Sequence, residues 1–247
     1  MKAAQILATY FGERRTYPYD VENTIEILKK QIENLKTLDT GYNSDLVIVN
    51  HDSGNTDAHE FLNQVDNMEL KNGVVRVLNR PIINHDMSFG SYKYAFHKYQ
   101  NEYDFWFFNE DDILPVVGNF IGDMINLLES DSKVGFVAAL QFTDDPVHHF
   151  TIDSDGYITG TGGSPAHAHG GVGMTSTTIL KDVCNKFPDY LNTPNINYEG
   201  ESILKNGGYG GEVVEVDFTH TFIKAGYKLK CYSDGSKFKR LQDGRNL

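Results

Sequence analysis

Cysteine is nearly absent from the 247-residue chain, which holds only Cys184 and Cys231. Two thiols in a chain of this length make no disulfide framework, so reduced thiols and a cytoplasmic setting are expected. No run of about 18 apolar residues occurs, so no membrane-spanning helix is expected. The opening residues, MKAAQILATYFGERR, meet Glu13, Arg14 and Arg15 too soon to read as an export signal. Cations are scarce as well: 22 Lys and Arg face 34 Asp and Glu, for a net charge of −12. That balance repels phosphate backbones and argues against duplex nucleic acid as a partner. Two phosphate-binding motifs are missing. No G-x-x-x-x-G-K-[ST] loop occurs and no G-x-G-x-x-G follows the first apolar run, which disfavours a P-loop kinase and a dinucleotide oxidoreductase. Bound phosphates would have to be held by a metal ion rather than by a glycine cradle.

What is present is a folding composition, with 40% hydrophobic and 12% aromatic residues, enough for a large core. One large domain or two joined halves are both compatible with the length. Residues 4–10 (AQILATY) form a short apolar run halted by Gly12, the pattern of a buried strand. Val21, Ile25, Leu28, Ile32 and Leu35 recur at spacings of four and three, which places them on one helix face with Asp20 as the N-cap. Strands are expected at 45–50 (DLVIVN), 74–78 (VVRVL) and 104–108 (DFWFF), with a helix at 92–100 after Gly90 and Ser91. Alternation of this kind implies βαβ units and a largely parallel sheet. Further on, a helix is expected at 120–129, a strand at 134–140, helices at 178–186 and 216–225, and a last strand at 227–232. Gly226 would cap the second of those helices. Residues 141–173, rich in Gly and His, read as a long loop or a short hairpin. The tail after Gly235 carries Lys237, Lys239, Arg240 and Arg245 and reads as solvated.

In open α/β sheets, ligands bind beyond the carboxyl ends of the strands. Those ends offer Thr9 and Tyr10, then Asn50, His51, Asp52 and Ser53, and then Asn109, Glu110, Asp111 and Asp112. Together they supply an aromatic face for a base, carboxylates for base or ribose, and an acidic cluster for a hard divalent cation. Such cations are often held by one or two carboxylates plus substrate phosphates. The bland alternative is a buried strand followed by a solvated acidic turn. His148, His149, His167 and His169 are accompanied by no Cys or tight carboxylate partner and fit acceptor binding or loop polarity better than a zinc site. Tyr92, Tyr94, Phe96 and Tyr99, at helical spacing, read as packing residues.

These segments, in order, resemble the glycosyltransferases of family 2, whose fold is called GT-A. ILATYFGER resembles the opening strand, DLVIVNHDSGNTD the second strand and its Asp-rich turn, and DFWFFNEDDILP the strand carrying the Asp-x-Asp motif. HGGVGMTSTTILKDV resembles the strand and helix that open the acceptor half, and EVDFTHTFIKAGYK the helix that ends in Ala-Gly-Tyr. The resemblance implies a single α/β domain of Rossmann type, with a mixed, mainly parallel sheet flanked by helices. Residues 1–115 would bind the nucleotide sugar, and residues 116–247 would bind the acceptor and supply the base. It implies inverting transfer from a nucleoside-diphosphate sugar to a hydroxyl of a glycan or glycoconjugate, assisted by Mn2+ or Mg2+. Thr9, Tyr10 and Asp52 would contact the nucleoside, with Asn50 and His51 as their neighbours. Asn109 and Glu110 would be cofactor-binding residues, and Asp111 would hold the metal that bridges the diphosphate, with Asp112 beside it. Glu215 would be the catalytic base, with Asp217 as the alternative at a helix N-terminus. The family's first acidic metal residue is Asn109 here, which removes a charge. A non-catalytic binding protein of the same fold and a nucleotidyltransferase stay open beside this reading. The latter would place a Gly-rich, Arg-containing loop after the first strand, for which TYFGERRTYP is a poor match. Sugar, base, acceptor and oligomeric state are not legible.

Overall fold

Both faces of the first strand are covered, so β1 (Ala3–Tyr10) is buried until its last residue, as its unbroken apolar run requires. The computed structural model describes residues 1–11, 21–51, 54–80, 87–139, 150–160, 166–188, 190, 210–233 and 235–241. The chain continues with α1 (Val21–Thr37), β2 (Ser44–His51), α2 (Thr56–Val65), β3 (Val75–Arg80), α3 (Met87–Tyr99) and β4 (Phe105–Glu110). Then follow β5 (Ile113–Pro115), α4 (Phe120–Glu129), β6 (Val134–Ala138) and the hairpin of β7 (Phe150–Ile152) and β8 (Ile158–Gly160). A 3-10 turn (His169–Gly171) leads into β9 (Gly173–Ser176) and α5 (Thr177–Lys186). The described chain closes with α6 (Gly210–Lys224), β10 (Lys228–Cys231) and β11 (Phe238–Arg240).

Seven strands form one sheet in the order β10-β6-β9-β4-β1-β2-β3. β1 runs parallel to β2 and β4, β2 to β3, and β10 to β6, while β9 is antiparallel to both its neighbours. The structure is thus a mixed, mainly parallel α/β domain. Alternation along β1 divides the core into two layers. Leu7 packs with Leu28 and Ile32 of α1, Phe61 of α2 and Ile121 of α4. Ile6 packs on the other face with Tyr92 and Phe96 of α3, Leu180 of α5 and Phe222 of α6. Tyr92 and Phe96 are core residues, as their helical spacing suggests. Gly173 is required where β9 enters the sheet, because a Cβ there would run into the Val137 carbonyl and the Phe136 ring.

Several expectations need correction. The third helix begins at Met87 rather than Tyr92, with Gly90 and Ser91 buried inside it rather than preceding it. α2 was hidden behind the polar loop, although Ala58, Phe61, Leu62 and Val65 are spaced as one helical face and Asn55 caps it by accepting from Ala58 N at 3.0 Å. α6 begins at Gly210, six residues earlier than its apolar pattern suggested. The tail is not simply solvated: β11 pairs antiparallel with β5, and Phe238, 1% exposed, inserts into the core beside Phe107 and Phe120. Asp20, the expected N-cap of α1, lies outside the described residues. Among the described residues no helix is long and apolar enough to cross a membrane.

Candidate active site

Parallel pairing brings the carboxyl ends of β1, β2, β3 and β4 together, and register then decides which side chains meet. Thr9 lies beside Asn50, which lies beside Asn79, and the next row is Tyr10, His51 and Arg80. Asn50 is buried; its Nδ2 donates to Asn79 Oδ1 at 3.0 Å, and its own Oδ1 has no hydrogen-bond partner. The Tyr10 and His51 rings are 5.5 Å apart and tilted, leaving an aromatic surface at the sheet's end. Thr9 Oγ1 donates to Asp111 Oδ2 at 3.0 Å, tying the end of β1 to the acidic turn. Asp52 lies outside the described residues.

The acidic turn between β4 and β5 is tightly built. Asp111 and Asp112 are each only 3% exposed, whereas Glu110 is half-buried and accepts from Ser88 Oγ at 3.3 Å. Asn109 Nδ2 donates to the Ile113 carbonyl at 2.8 Å, closing the turn on itself. Asn109 carries no charge, and its amide braces the turn, a donor role that a carboxylate cannot fill. Its Oδ1 is buried and has no hydrogen-bond partner. Backbone carbonyls of the turn are captured from two sides. From α1, Gln31 Nε2 donates to Asp111 O at 3.0 Å and to Ile113 O at 2.7 Å, and Asn34 Nδ2 donates to Pro115 O at 2.8 Å. From α3, the Tyr92 hydroxyl donates to Asn109 O at 3.1 Å. Burial, with the Glu110, Asp111 and Asp112 charges adding to it, pushes the Tyr92 pKa up, so the hydroxyl keeps its proton and stays a donor. The residue after β11 completes the enclosure, with Leu241 N donating to Asp112 O at 2.7 Å.

The facing wall comes from the 3-10 turn and α6. Phe218 pins α6 against Phe89, Tyr92, Phe108 and Phe136. The segment before the 3-10 turn is tied to the same helix, with Ala168 N donating to Thr219 Oγ1 at 2.9 Å and His220 Nδ1 lying 3.3 Å from Ala166 O. Gly170 comes near Glu110: a Cβ on it would lie 4.0 Å from Glu110 Oε2. Asp217 is not at a helix N-terminus as expected; it is the eighth residue of α6, its side chain 57% exposed and 3.7 Å from Lys224 Nζ. Glu215 lies on the same helix, three residues before Phe218, and its side chain is outside the described residues. So are His148, His149 and the side chain of His169, while His167 is buried.

Among the described residues no group of three or more His, Cys, Asp or Glu is placed to hold a metal ion. The acidic turn offers instead a buried amide oxygen without a partner, on Asn109, and the Asp111 carboxylate two residues on. Two hard oxygen donors fit a divalent cation that completes its shell with phosphates and water.

No protein-family model matches the chain, and no curated protein matches it. Solved structures do. A CMP:2-keto-3-deoxy-manno-octonic acid synthetase complexed with CTP superposes with a TM-score of 0.56 at 11% identity, over 94% of this chain and 90% of that one. A putative glucose-1-phosphate thymidylyltransferase from Bacillus anthracis, in complex with sucrose, gives 0.55 at 12%, over 96% and 89%. A mannosyltransferase from Pyrobaculum calidifontis, in complex with GDP-Man and Mn2+, gives 0.54 at 12%. It is matched over 94% of this chain but only 55% of its own length. At such identities the likeness establishes the fold, which is GT-A-like.

Proposed function

We propose that the protein is an inverting glycosyltransferase that moves a sugar from a nucleoside-diphosphate donor to a hydroxyl of a glycan or glycoconjugate. The observation that carries this reading is the acidic turn, where Asp111 is fixed to Thr9 and the Asn109 Oδ1 has no partner, beside an aromatic surface at the sheet's end. Solved structures of the same fold with CTP and with GDP-Man and Mn2+ support the nucleotide part of the reading. Residues 1–115 form the donor half and residues 116–247 the acceptor half. Tyr10, Asn50 and Asp52 bind the nucleoside, and Glu110 lines the diphosphate. Asp111 and the Asn109 Oδ1 hold Mn2+ or Mg2+, with Asp112 beside them. When bound, the cation offsets the charge that develops on the leaving diphosphate.

Glu215 acts as the base. The acceptor oxygen forms the new bond to the sugar's anomeric carbon from the face opposite the leaving group, its proton passes to the Glu215 carboxylate, and the bond to the diphosphate breaks. General-base assistance of this kind contributes about 10²–10⁴-fold. Asp217, the alternative base, is exposed and lies 3.7 Å from Lys224 Nζ. The test is a set of three variants read by calorimetry and turnover. Asp111→Ala abolishes the metal effect on nucleotide binding. Glu215→Gln removes transfer by at least 10²-fold and leaves donor binding nearly intact. Asp217→Asn changes little; if it removes transfer while Glu215→Gln does not, the assignment of the base is wrong.

A nucleotidyltransferase is the second reading, favoured by the synthetase and the thymidylyltransferase, which superpose as well as the mannosyltransferase does. Release of pyrophosphate from a nucleoside triphosphate and a sugar phosphate would establish it.

A further inference from the structure

We infer that Gln31 is a positioning residue for the cation site, an assignment that rests on the cation reading of the acidic turn above. Glu110, Asp111 and Asp112 are three carboxylates in succession, and their mutual repulsion favours a turn that splays open. Gln31 opposes that opening. Its side chain is buried on α1, and its Nε2 places both hydrogens on the turn, at 3.0 Å from Asp111 O and 2.7 Å from Ile113 O. Those two carbonyls flank Asp112, so one rigid amide group fixes the distance across the turn's bend. The orientation of the amide is not arbitrary: only an NH2 group can face two carbonyl oxygens. Ile113 O also accepts from Asn109 Nδ2 at 2.8 Å, so both of its lone pairs are used, and the Gln31 contact is coupled directly to the residue whose Oδ1 would meet the cation. On the opposite face the Tyr92 hydroxyl holds Asn109 O at 3.1 Å. The two helices therefore grip the turn from both layers of the core and hold its oxygens in place before any cation arrives. Hydrogen-bond partners of this second layer typically set metal affinity by 10–100-fold.

The full-length protein is titrated with Mn2+, alone and with UDP, GDP or dTDP present, and protein-bound Mn2+ is read from the relaxation of water protons. Gln31→Met keeps the side chain's length and removes both donors. Affinity for Mn2+ falls by about 10–100-fold, at a temperature where circular dichroism shows the variant folded. Gln31→Glu falls further, because it sets an oxygen against two carbonyl oxygens. Tyr92→Phe, which deletes a single hydroxyl, weakens Mn2+ in the same direction and serves if the Gln31 variants do not fold. If wild type binds Mn2+ and the folded variants bind it within twofold of wild type, the positioning role is wrong and the cation reading stands. If wild type binds no Mn2+ under any of these conditions, the cation reading falls, and the role of Gln31 with it.

Discussion

Asn109 and Asp45 show how a polar residue's partners decide its meaning. In the sequence Asn109 is a departure from an acidic motif; in the structure it is a donor to Ile113 O. Asn109→Asp would keep an oxygen in place of Oδ1 but would set its other carboxylate oxygen, in place of the donating Nδ2, against the Ile113 carbonyl. The substitution is expected to cost about 1–3 kcal/mol at neutral pH in urea denaturation. Because the folded state raises the pKa of such a carboxyl, that cost eases as pH falls and the group takes up a proton. Asp45, at the amino end of β2 and far along the strand from the site, makes the opposite case. Its fully buried carboxylate meets Lys2 Nζ at 2.6 Å, Arg76 Nε at 3.0 Å, the Tyr103 hydroxyl at 2.7 Å and Val74 N at 3.1 Å. Burial alone would raise its pKa, but the bonds from Lys2, Tyr103 and Val74 outweigh it and hold the pKa below the ordinary value. Its contribution to stability is therefore complete above about pH 4 and is lost as pH falls through the folded value. Denaturation measured at descending pH should show that loss in wild type and not in Asp45→Asn.

At the scale of elements, legibility followed burial on both faces. β1, β2, β4 and α4 were readable because a continuous apolar run or an amphipathic stripe needs no partner to be recognised. α2 carries the same signal but follows a polar loop that drew the reading toward a site. β11 is a different case: a three-residue strand with two lysines nearby has no periodicity of its own, and only its pairing with β5 makes it structure. Phe238 was the available clue, a single large apolar residue in a basic tail. Phe238→Ala is expected to destabilise the fold by about 3–5 kcal/mol in chemical denaturation, the range for emptying a buried aromatic site. A solvated tail would give less than about 0.5 kcal/mol. The acidic turn itself was legible as composition, but the donors that hold it come from α1 and α3, some 80 and 17 residues earlier in the chain, and no local pattern announces them.

For the molecule as a whole, the charge of −12 acquires a distribution. Glu110, Asp111 and Asp112 are gathered at the carboxyl end of the sheet, and Asp217 is turned outward toward Lys224. A folded protein keeps three adjacent carboxylates partly or wholly out of water only when something offsets them, and a bound cation with a diphosphate is the offset proposed here. The fold, a mixed α/β domain of GT-A-like form, is shared by enzymes with two chemistries that differ in what leaves: a nucleoside diphosphate in glycosyl transfer, pyrophosphate in nucleotidyl transfer. Phosphorus NMR of the protein incubated with a panel of nucleotide sugars and Mg2+, and separately with nucleoside triphosphates and sugar phosphates, distinguishes them directly. At least one nucleotide sugar is expected to be consumed with release of the nucleoside diphosphate, and Asp111→Ala to abolish this release. Pyrophosphate released from a nucleoside triphosphate, with every nucleotide sugar left intact, would contradict it.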